Sequence, residues 1–249
     1  MRKIVDCQVG HKEDRFPCQA SPQSVRMGTL YLVRHGQASF GADDYDQLSP
    51  LGAQQAQQLG RYWQARGMRF DAVYTGTLKR HLQTLEGIAQ TLPGLPAAQA
   101  LPALNEYDSH ALIHCIHPEP LGPVDTPETY RAHFRLLCDA IAQWMAGVIS
   151  PQGMPSWESF SGDIRHALDQ MRRQHHDGNV LVVSSGGPIS TAASLILGAS
   201  PEVSIALNMR IRNTAVSELS MSAKRLMLQT FNTLNHLDTP ETQDWITFA

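Results

Sequence analysis

The sequence of 249 residues is poor in cysteine, in lysine and in long apolar runs. Its four cysteines form no CxxC pair and are too few for a disulfide framework, so we expect a reducing, cytoplasmic setting. The formal net charge is −3 and there are only four lysines, so we expect neither nucleic acid nor a membrane surface as a partner. No stretch approaches the roughly 20 apolar residues of a membrane span.

The first 26 residues carry charge but lack a periodic apolar pattern. They also lack the apolar core of a signal peptide. We expect residues 1–26 to be a disordered tail. The whole chain has a hydrophobic share of 42%, which is ordinary for a folded globular protein. Its length allows a substantial core, and we expect residues 27–249 to form a single domain.

Apolar, β-rich runs alternate with helical patterns along this domain. This alternation favours an α/β fold with a mixed, mostly parallel sheet sandwiched between helices, in three α/β/α layers. The predicted strands lie at 29–36, at 70–75, just before Glu106, at 180–185, and in two late segments at 214–219 and 225–231.

Helical signals separate these strands. Ser49 can cap the first helix, which Gly67 can close, and Leu78, Leu82, Leu85 and Ile88 recur at helical spacing in the second helix. Residues 107–125 are rich in proline and glycine and are typical of a loop. We expect that loop and the helix after it, about 107–150, to form a small helical cap. The predicted helices lie at 49–67, 77–90, 127–147, 157–175 and 188–198.

Polar residues follow the predicted strands, and in open α/β sheets ligands bind beyond the carboxyl ends of strands. Arg34 and His35 end the first strand, Arg80 opens the second helix, and Glu106 follows the third strand. The glycine-rich segment 184–187 opens a helix N-terminus, which binds anions. Arginine forks match phosphate oxygens, a histidine can attack phosphorus, and a carboxylic acid can protonate a departing oxygen. The set therefore indicates phosphoryl chemistry.

Four segments, in order along the chain, resemble the histidine phosphatase superfamily, the phosphoglycerate-mutase-like proteins. RHG alone is a weak tripeptide, but the ordered set is specific, and with the late segment "NTAVSEL" the resemblance spans roughly residues 29–236. "LVRHG" matches the hallmark of the family, "YDQLSPLGAQQAQQLG" resembles its D-x-x-LT-x-x-G-x-x-QA segment, "VYTGTLKRHLQT" resembles its S-x-L-x-R-x-x-QT segment, and "VVSSGGPI" stands where the family has V-x-HGG.

The resemblance implies a phosphomonoester hydrolase that acts through a phosphohistidine on a phosphorylated small molecule or phosphoprotein. His35 would be the nucleophile, Arg34 and Arg80 would bind the phosphoryl group, and Glu106 would protonate the leaving group. No metal or organic cofactor is implied. The residues expected to bind substrate are Arg34, Arg80, Ser39, Ser185 and Gly186.

The chain also departs from the family pattern. Ser185 stands where the family has a second catalytic histidine, Gly41 stands where asparagine is common, and the usual hydroxyl is shifted from Ala38 to Ser39. These departures leave open a non-catalytic binder of phosphorylated ligands. A phosphoglycerate-mutase-type phosphotransferase is a weaker alternative, because the loop at 107–125 does not resemble the longer segments that enclose mutase substrates.

Three further alternatives concern single residues. Ser185 could itself be a nucleophile, although Val183 breaks the G-x-S-x-G pattern. Asp108 and Glu86 compete with Glu106 for the role of proton donor. The histidines of the segment "HALIHCIH" at 110–117 have spacing compatible with zinc, but we favour a lid or solvent-exposed position, and one of them could stand in for the missing histidine.

Overall fold

The computed structural model describes residues 27–39, 46–122 and 126–248. The expected tail at 1–26 and the departure at Gly41 lie outside these residues. The described part contains one six-stranded sheet. Its strands are β1 Gly28–Arg34, β2 Ala72–Thr75, β3 Ala98–Ala100, β4 Asn179–Ser184, β5 Val216–Met221 and β6 Leu226–Thr233.

The strand order is β3-β2-β4-β1-β5-β6. The pairs β3–β2, β2–β4 and β4–β1 are parallel, whereas β1–β5 and β5–β6 are antiparallel. The prediction of a mixed, mostly parallel sheet is therefore confirmed. Because β4 inserts between β1 and β2, the carboxyl ends of these three parallel strands lie side by side at one edge of the sheet.

Local signals account for most helix ends. The Ser49 side chain accepts a hydrogen bond from the Gly52 N–H, as predicted, and Gly198 closes a later helix at φ 63°. No helix in the described residues is long and apolar enough to cross a membrane. The α-helices are α1 Pro50–Ala65, α2 Lys79–Thr91, α3 Ser109–Ile116, α4 Pro127–Met145, α5 Trp157–His175, α6 Gly186–Leu197 and α7 Pro201–Asn208.

The two faces of the sheet carry separate apolar cores. On one face, Val33 and Val183 pack with Leu59 of α1 and Ile88 of α2. The opposite face packs against α5 and α6, and the side chains of α3 and α4 extend that core. Alternating residues of the strands β1, β2, β4 and β5 supply the two cores, which gives the three-layer α/β/α arrangement expected from the sequence.

One local prediction was wrong, and another was confirmed only in part. Residues 109–116 form helix α3 rather than loop, because the Asp108 carboxylate accepts from two helix N–H groups and the first proline comes only at Pro118. Helix α2 forms as predicted, and Leu85 and Ile88 pack in the core beside α1, but Leu82 of the same repeat is 46% exposed while Arg80 and His81 are buried. This helix begins at the carboxyl edge of the sheet, so its first turn directs polar groups inward.

An aromatic cluster joins α4 to α5 and to the segment after β3. Trp144 is fully buried, and its indole N–H donates to the Pro155 carbonyl at 3.1 Å. The rings of Tyr107, Trp157 and Phe160 lie with their centroids 5.5, 5.2 and 5.3 Å from the Trp144 ring. Trp144 therefore connects the predicted cap region to the main core.

We predict that Trp144→Ala lowers the free energy of unfolding by about 3–5 kcal/mol, because it removes a large buried side chain and leaves a cavity. Trp144→Phe keeps a ring and should cost less. Urea unfolding at equilibrium measures both changes. The control is Val148→Ala in the 69%-exposed position just after α4, which should change stability by less than about 0.5 kcal/mol. Equal effects at the two positions would contradict the assigned role.

Candidate active site

The pairing of β1 with β4 brings two polar segments together. Arg34 lies opposite Ser184 in the parallel register, and the next residue, His35, donates its N–H to the Ser184 carbonyl at 2.9 Å. The chain then reaches Ser185 and the start of α6. Candidate site residues from separate parts of the sequence thus meet at one edge of the sheet.

His35 is 4% exposed, and its ring is held by the backbone of the next residue. The Nδ1 atom lies 2.7 Å from the Gly36 carbonyl oxygen. Because a carbonyl oxygen only accepts, Nδ1 must carry the proton, which leaves a lone pair on Nε2. Burial, then the charges of Arg34 and Arg80, lower the pKa of His35 well below its ordinary value. The imidazole is therefore neutral, as a nucleophile requires.

Both arginines are buried and oriented by protein oxygens. Arg34 donates through Nη1 to the Ile211 carbonyl. Arg80 donates through Nη1 to the Asp46 carboxylate at 2.7 Å, and the other oxygen of Asp46 accepts the Lys79 N–H at 2.8 Å. Asp46 thus holds both the start of α2 and the Arg80 side chain. The site concentrates positive charge beside His35, which suits an anionic ligand.

The Glu106 carboxylate reaches the N-terminus of α6. Both of its oxygens lie 3.1 Å from the Gly187 N–H. Burial raises the pKa of Glu106, against the opposing effects of that hydrogen bond and of Arg80 and Arg34. A β-carbon at Gly187 would collide with this carboxylate, so glycine permits the approach.

The two competing carboxyl groups have other environments. Asp108 accepts from the N–H groups of His110 and Ala111 and caps α3. Glu86 is exposed on α2. Among these three residues, only Glu106 lies at the edge of the sheet where the arginines and His35 converge.

The structure also places two further residues that were expected to bind substrate, Ser39 and Gly186. Ser39 is half-buried, and its N–H donates to the Gln47 carbonyl at 2.8 Å, but no hydrogen bond within the described residues joins it to the cluster. Gly186 is buried in the first turn of α6, which starts two residues earlier than Pro188. Of the amides expected to bind an anion there, that of Gly187 is already bonded to Glu106.

The sequence analysis missed His81. Its Nε2 atom lies 2.7 Å from the Ser185 Oγ, and its ring centroid lies 5.8 Å from that of His35. The buried face of α2 carries the polar residues Arg80 and Thr84, the small residue Gly87 and the apolar Ile88, at positions i, i+4, i+7 and i+8, and His81 lies on the same face. The apolar repeat beginning at Leu78 hid the polar part of this face.

Two histidines of α3 lie on the exposed side of this helix. His110 and His114 are exposed, while Leu112 and Ile113 carry the buried side of this helix. The favoured solvent-exposed position therefore fits these two residues. Within the described ranges, no group of three or more histidine, cysteine or acidic side chains is arranged to hold a metal ion.

Comparison with known proteins identifies the family of this chain. The family model of the histidine phosphatase superfamily (branch 1) matches residues 30–234. The chain belongs to this superfamily. Phosphoglycerate-mutase-like relatives are also found among curated proteins and solved structures.

Two curated relatives are 2,3-bisphosphoglycerate-dependent phosphoglycerate mutases. The enzyme of a Bradyrhizobium sp. is 41% identical over 88 residues, and that of a Chelativorans sp. is 39% identical over 89 residues. Each match covers 32% of this chain and 42% or 43% of the relative. The chain thus spans less than half the length of these curated relatives.

Solved structures establish the fold of this superfamily member. The alpha-ribazole phosphatase from Shigella flexneri has a TM-score of 0.59 at 21% identity, covering 83% of this chain and 96% of that one. A phosphoserine phosphatase from Entamoeba histolytica, in complex with 3-phosphoglyceric acid, has a TM-score of 0.57 at 20% identity, covering 85% and 100%. A phosphoglycerate mutase from Bacillus anthracis scores 0.58 at 18% identity, covering 85% and 96%.

Buried neutral histidines make the stability of this protein sensitive to acid. Burial lowers the pKa of His236 to about 3, and its Nε2 lies 2.9 Å from the Thr214 hydroxyl oxygen. The unfolded chain takes up this proton near pH 6.5, so between that pH and about 3 the unfolded state binds more protons. The free energy of unfolding therefore falls as the pH falls through this range.

We predict that His236→Leu reduces the slope of the unfolding free energy against pH between pH 6.5 and 5. The reduction relative to the wild type should be up to about 1.4 kcal/mol per pH unit. Urea unfolding at several pH values measures the slope. The control, His114→Leu, changes an exposed histidine and should keep the wild-type slope. An unchanged slope in His236→Leu would show that this histidine is not held neutral.

Proposed function

We propose that this member of the superfamily is a phosphomonoester hydrolase that acts through a phosphohistidine at His35. The observation that carries the proposal is the Nδ1–H contact of His35 with the Gly36 carbonyl at 2.7 Å. It leaves the Nε2 lone pair available beside two buried guanidinium groups. An imidazole held in this way has the tautomer, the protonation state and the electrostatic surroundings of a nucleophile for an anionic phosphoryl group.

In the first step, the Nε2 atom of His35 attacks phosphorus and the bond from phosphorus to the ester oxygen breaks. Arg34 and Arg80 neutralise the charge of the transferring group, so the step has a source of electrostatic stabilisation within the chain. Glu106 gives its proton to the departing oxygen. Its raised pKa suits this role, because the carboxyl keeps its proton to a higher pH than an ordinary glutamic acid.

In the second step, a water molecule attacks the phosphohistidine. The Glu106 carboxylate takes a proton from this water, the bond from nitrogen to phosphorus breaks, and inorganic phosphate leaves. His35 returns to its neutral form and Glu106 is again protonated. The substrate is then a phosphorylated small molecule or a phosphoprotein, and neither step calls on a metal or an organic cofactor.

Phosphoglycerate mutase activity is the second candidate, because the partly matching curated relatives have that name. A mutase returns the phosphoryl group to a second oxygen of its substrate, whereas a hydrolase passes it to water. A non-catalytic binder of phosphorylated ligands is the third, because Ser185 stands where the resemblance places a second histidine. The fate of the phosphoryl group on His35 distinguishes the three functions.

We predict that His35→Ala lowers kcat on p-nitrophenyl phosphate by about 10⁴-fold or more, because it removes the nucleophile. Rapid acid-free quenching should trap an acid-labile phosphoenzyme in the wild type and none in the variant. The exposed His114→Ala variant is the matched control and should keep wild-type kcat. A durable phosphoenzyme that converts 3-phosphoglycerate to its isomer would favour the mutase, and phosphate binding without any phosphoenzyme would favour the binder.

An acid-stable phosphoenzyme would overturn the assignment of His35, because phosphoserine survives acid and phosphohistidine does not. Peptide mapping of the trapped species then decides between His35 and Ser185. Turnover that is indifferent to His35→Ala would equally reject the mechanism.

We predict that Glu106→Gln reduces kcat/KM, which reports the phosphorylation step and not the later attack by water, more strongly the more basic the leaving group is. For an alkyl phosphate, the loss of the general acid should cost about 10²–10⁴-fold. For p-nitrophenyl phosphate, whose leaving group needs little protonation, the decrease should be much smaller. Steady-state kinetics of the wild type and the variant on both substrates measure the two losses. Glu86→Gln, which changes an exposed carboxyl, is the matched control. Equal losses on the two substrates would contradict the role of proton donor.

A further inference from the structure

The site contains a second imidazole for which the steps above have no role. His81 lies in the first turn of α2, is fully buried, and places its Nε2 2.7 Å from the Ser185 hydroxyl oxygen. The two residues are 104 positions apart in the chain. The ring of His81 also lies beside that of His35, with centroids 5.8 Å apart. A hydrogen-bonded His81–Ser185 pair therefore borders the nucleophile.

The fold leaves space for this imidazole at a specific place. Gly76 follows β2, and a β-carbon at this position would collide with the Nδ1 and Cε1 atoms of His81. Nδ1 is buried and, within the described residues, has no hydrogen-bond partner. All hydrogen bonding of the His81 ring is therefore directed through Nε2 toward Ser185.

This difference between the two ring nitrogens of His81 indicates which of them carries the proton. A proton on Nδ1 would be a buried donor with no acceptor, which is the rarer situation in folded proteins. A proton on Nε2 instead donates to the Ser185 Oγ. The pKa of His81, lowered to about 3 by burial and by Arg80, keeps this ring in a singly protonated, neutral form. The hydroxyl proton of Ser185 is then left to donate to another group.

Ser185 behaves unlike the other serines at helix starts. Ser49, Ser156 and Ser200 each precede a helix and accept a hydrogen bond from one of its N–H groups. Ser185 occupies the same position before α6 but makes no such bond. Its hydroxyl is turned to His81 instead, so it is not explained as a helix cap.

We propose that His81 and Ser185 form a hydrogen-bond relay to the phosphoryl group, in which the His81 Nε2–H donates to the Ser185 Oγ and the Ser185 O–H donates to a phosphoryl oxygen. Ser185 touches the substrate, and His81 is a positioning residue that orients its hydroxyl. The relay rests on the proposed function, which places the phosphoryl group at His35. It is a two-residue counterpart of the single histidine that the resemblance places at position 185.

The same geometry disfavours a nucleophilic Ser185. A serine nucleophile needs a base that accepts its proton, and that base is ordinarily oriented by a third group. The Nδ1 of His81 has no such group among the described residues. The direction of the hydrogen bond, from His81 to Ser185, is opposite to the one that would activate the hydroxyl.

A double-mutant cycle tests the relay. We expect Ser185→Ala to lower kcat/KM by about 10²-fold, as for the loss of one preorganised donor, and His81→Leu to lower it by about 10-fold or more, as for the loss of an orienting partner. Because His81 acts through Ser185, His81→Leu should have no further effect in the Ser185→Ala background. His81→Gln, which keeps an N–H donor near the position of Nε2, should recover most of the activity.

A purely structural role for His81 would give a different result. His81→Leu and His81→Gln would then change the melting temperature but leave kcat and KM at wild-type values, and this outcome would overturn the relay. If His81→Leu does not fold, Ser185→Ala and His81→Gln still test the proposal, since the first removes a single oxygen atom and the second keeps a polar side chain.

A second test places a histidine at position 185 with and without the histidine at position 81. A histidine at position 185 alone has no room, because the His81 ring already lies within hydrogen-bond distance of Ser185 Oγ. We expect Ser185→His to lose activity and the double variant Ser185→His/His81→Ala to recover at least about tenfold of it, because the second change makes space. Equal activities in the single and double variants would contradict this arrangement.

The affinity for inorganic phosphate, measured by isothermal titration calorimetry, separates this proposal from the proposed function. If the wild type shows no turnover but Ser185→Ala and His81→Leu both weaken phosphate binding, hydrolysis is rejected and the relay stands. If turnover depends on His35 while both variants keep wild-type kcat and phosphate affinity, hydrolysis stands and the relay is rejected.

Discussion

The parallel pairing of β1 with β4 is the constraint on which the site depends. It sets Arg34 opposite Ser184 and joins the His35 N–H to the Ser184 carbonyl, so His35 and the start of α6 share one edge of the sheet. A shift of one residue in this register would turn the side chains to the other face. The buried valines and leucines that fill both faces of the sheet specify the register, and the chemistry follows from it.

Burial and positive charge then set the protonation states of the site. Both effects disfavour a charged His35, whose pKa is lowered well below its ordinary value. For Glu106 the two effects oppose each other, and burial prevails, so its pKa is raised. One environment thus favours the neutral imidazole of His35 and the protonated carboxyl of Glu106 at the same pH. The relay of His81 and Ser185 would add a hydrogen-bond donor without adding another buried charge.

Much of the fold could be predicted, because strand runs and helix caps are local signals. Arg34, His35 and Glu106 could be placed because each lies at the end of a predicted strand or just after one, and such strand ends share an edge of the sheet. Helix α3 was missed because proline-rich residues follow it, although Asp108 caps its start. The face of α2 was predicted only in part, because leucines at helical spacing suggested a core, whereas the helix also points Arg80 and His81 inward.

The sequence by itself determined the α/β class, the family resemblance and the residues that can act on a phosphoryl group, because these depend on short segments and their order. Only the tertiary structure decided which histidine accompanies Ser185. His81 and Ser185 meet because Thr75 of β2 pairs with Val183 of β4, which brings together the segments that follow these strands. A contact between residues 104 positions apart depends on that register, and no local pattern encodes it.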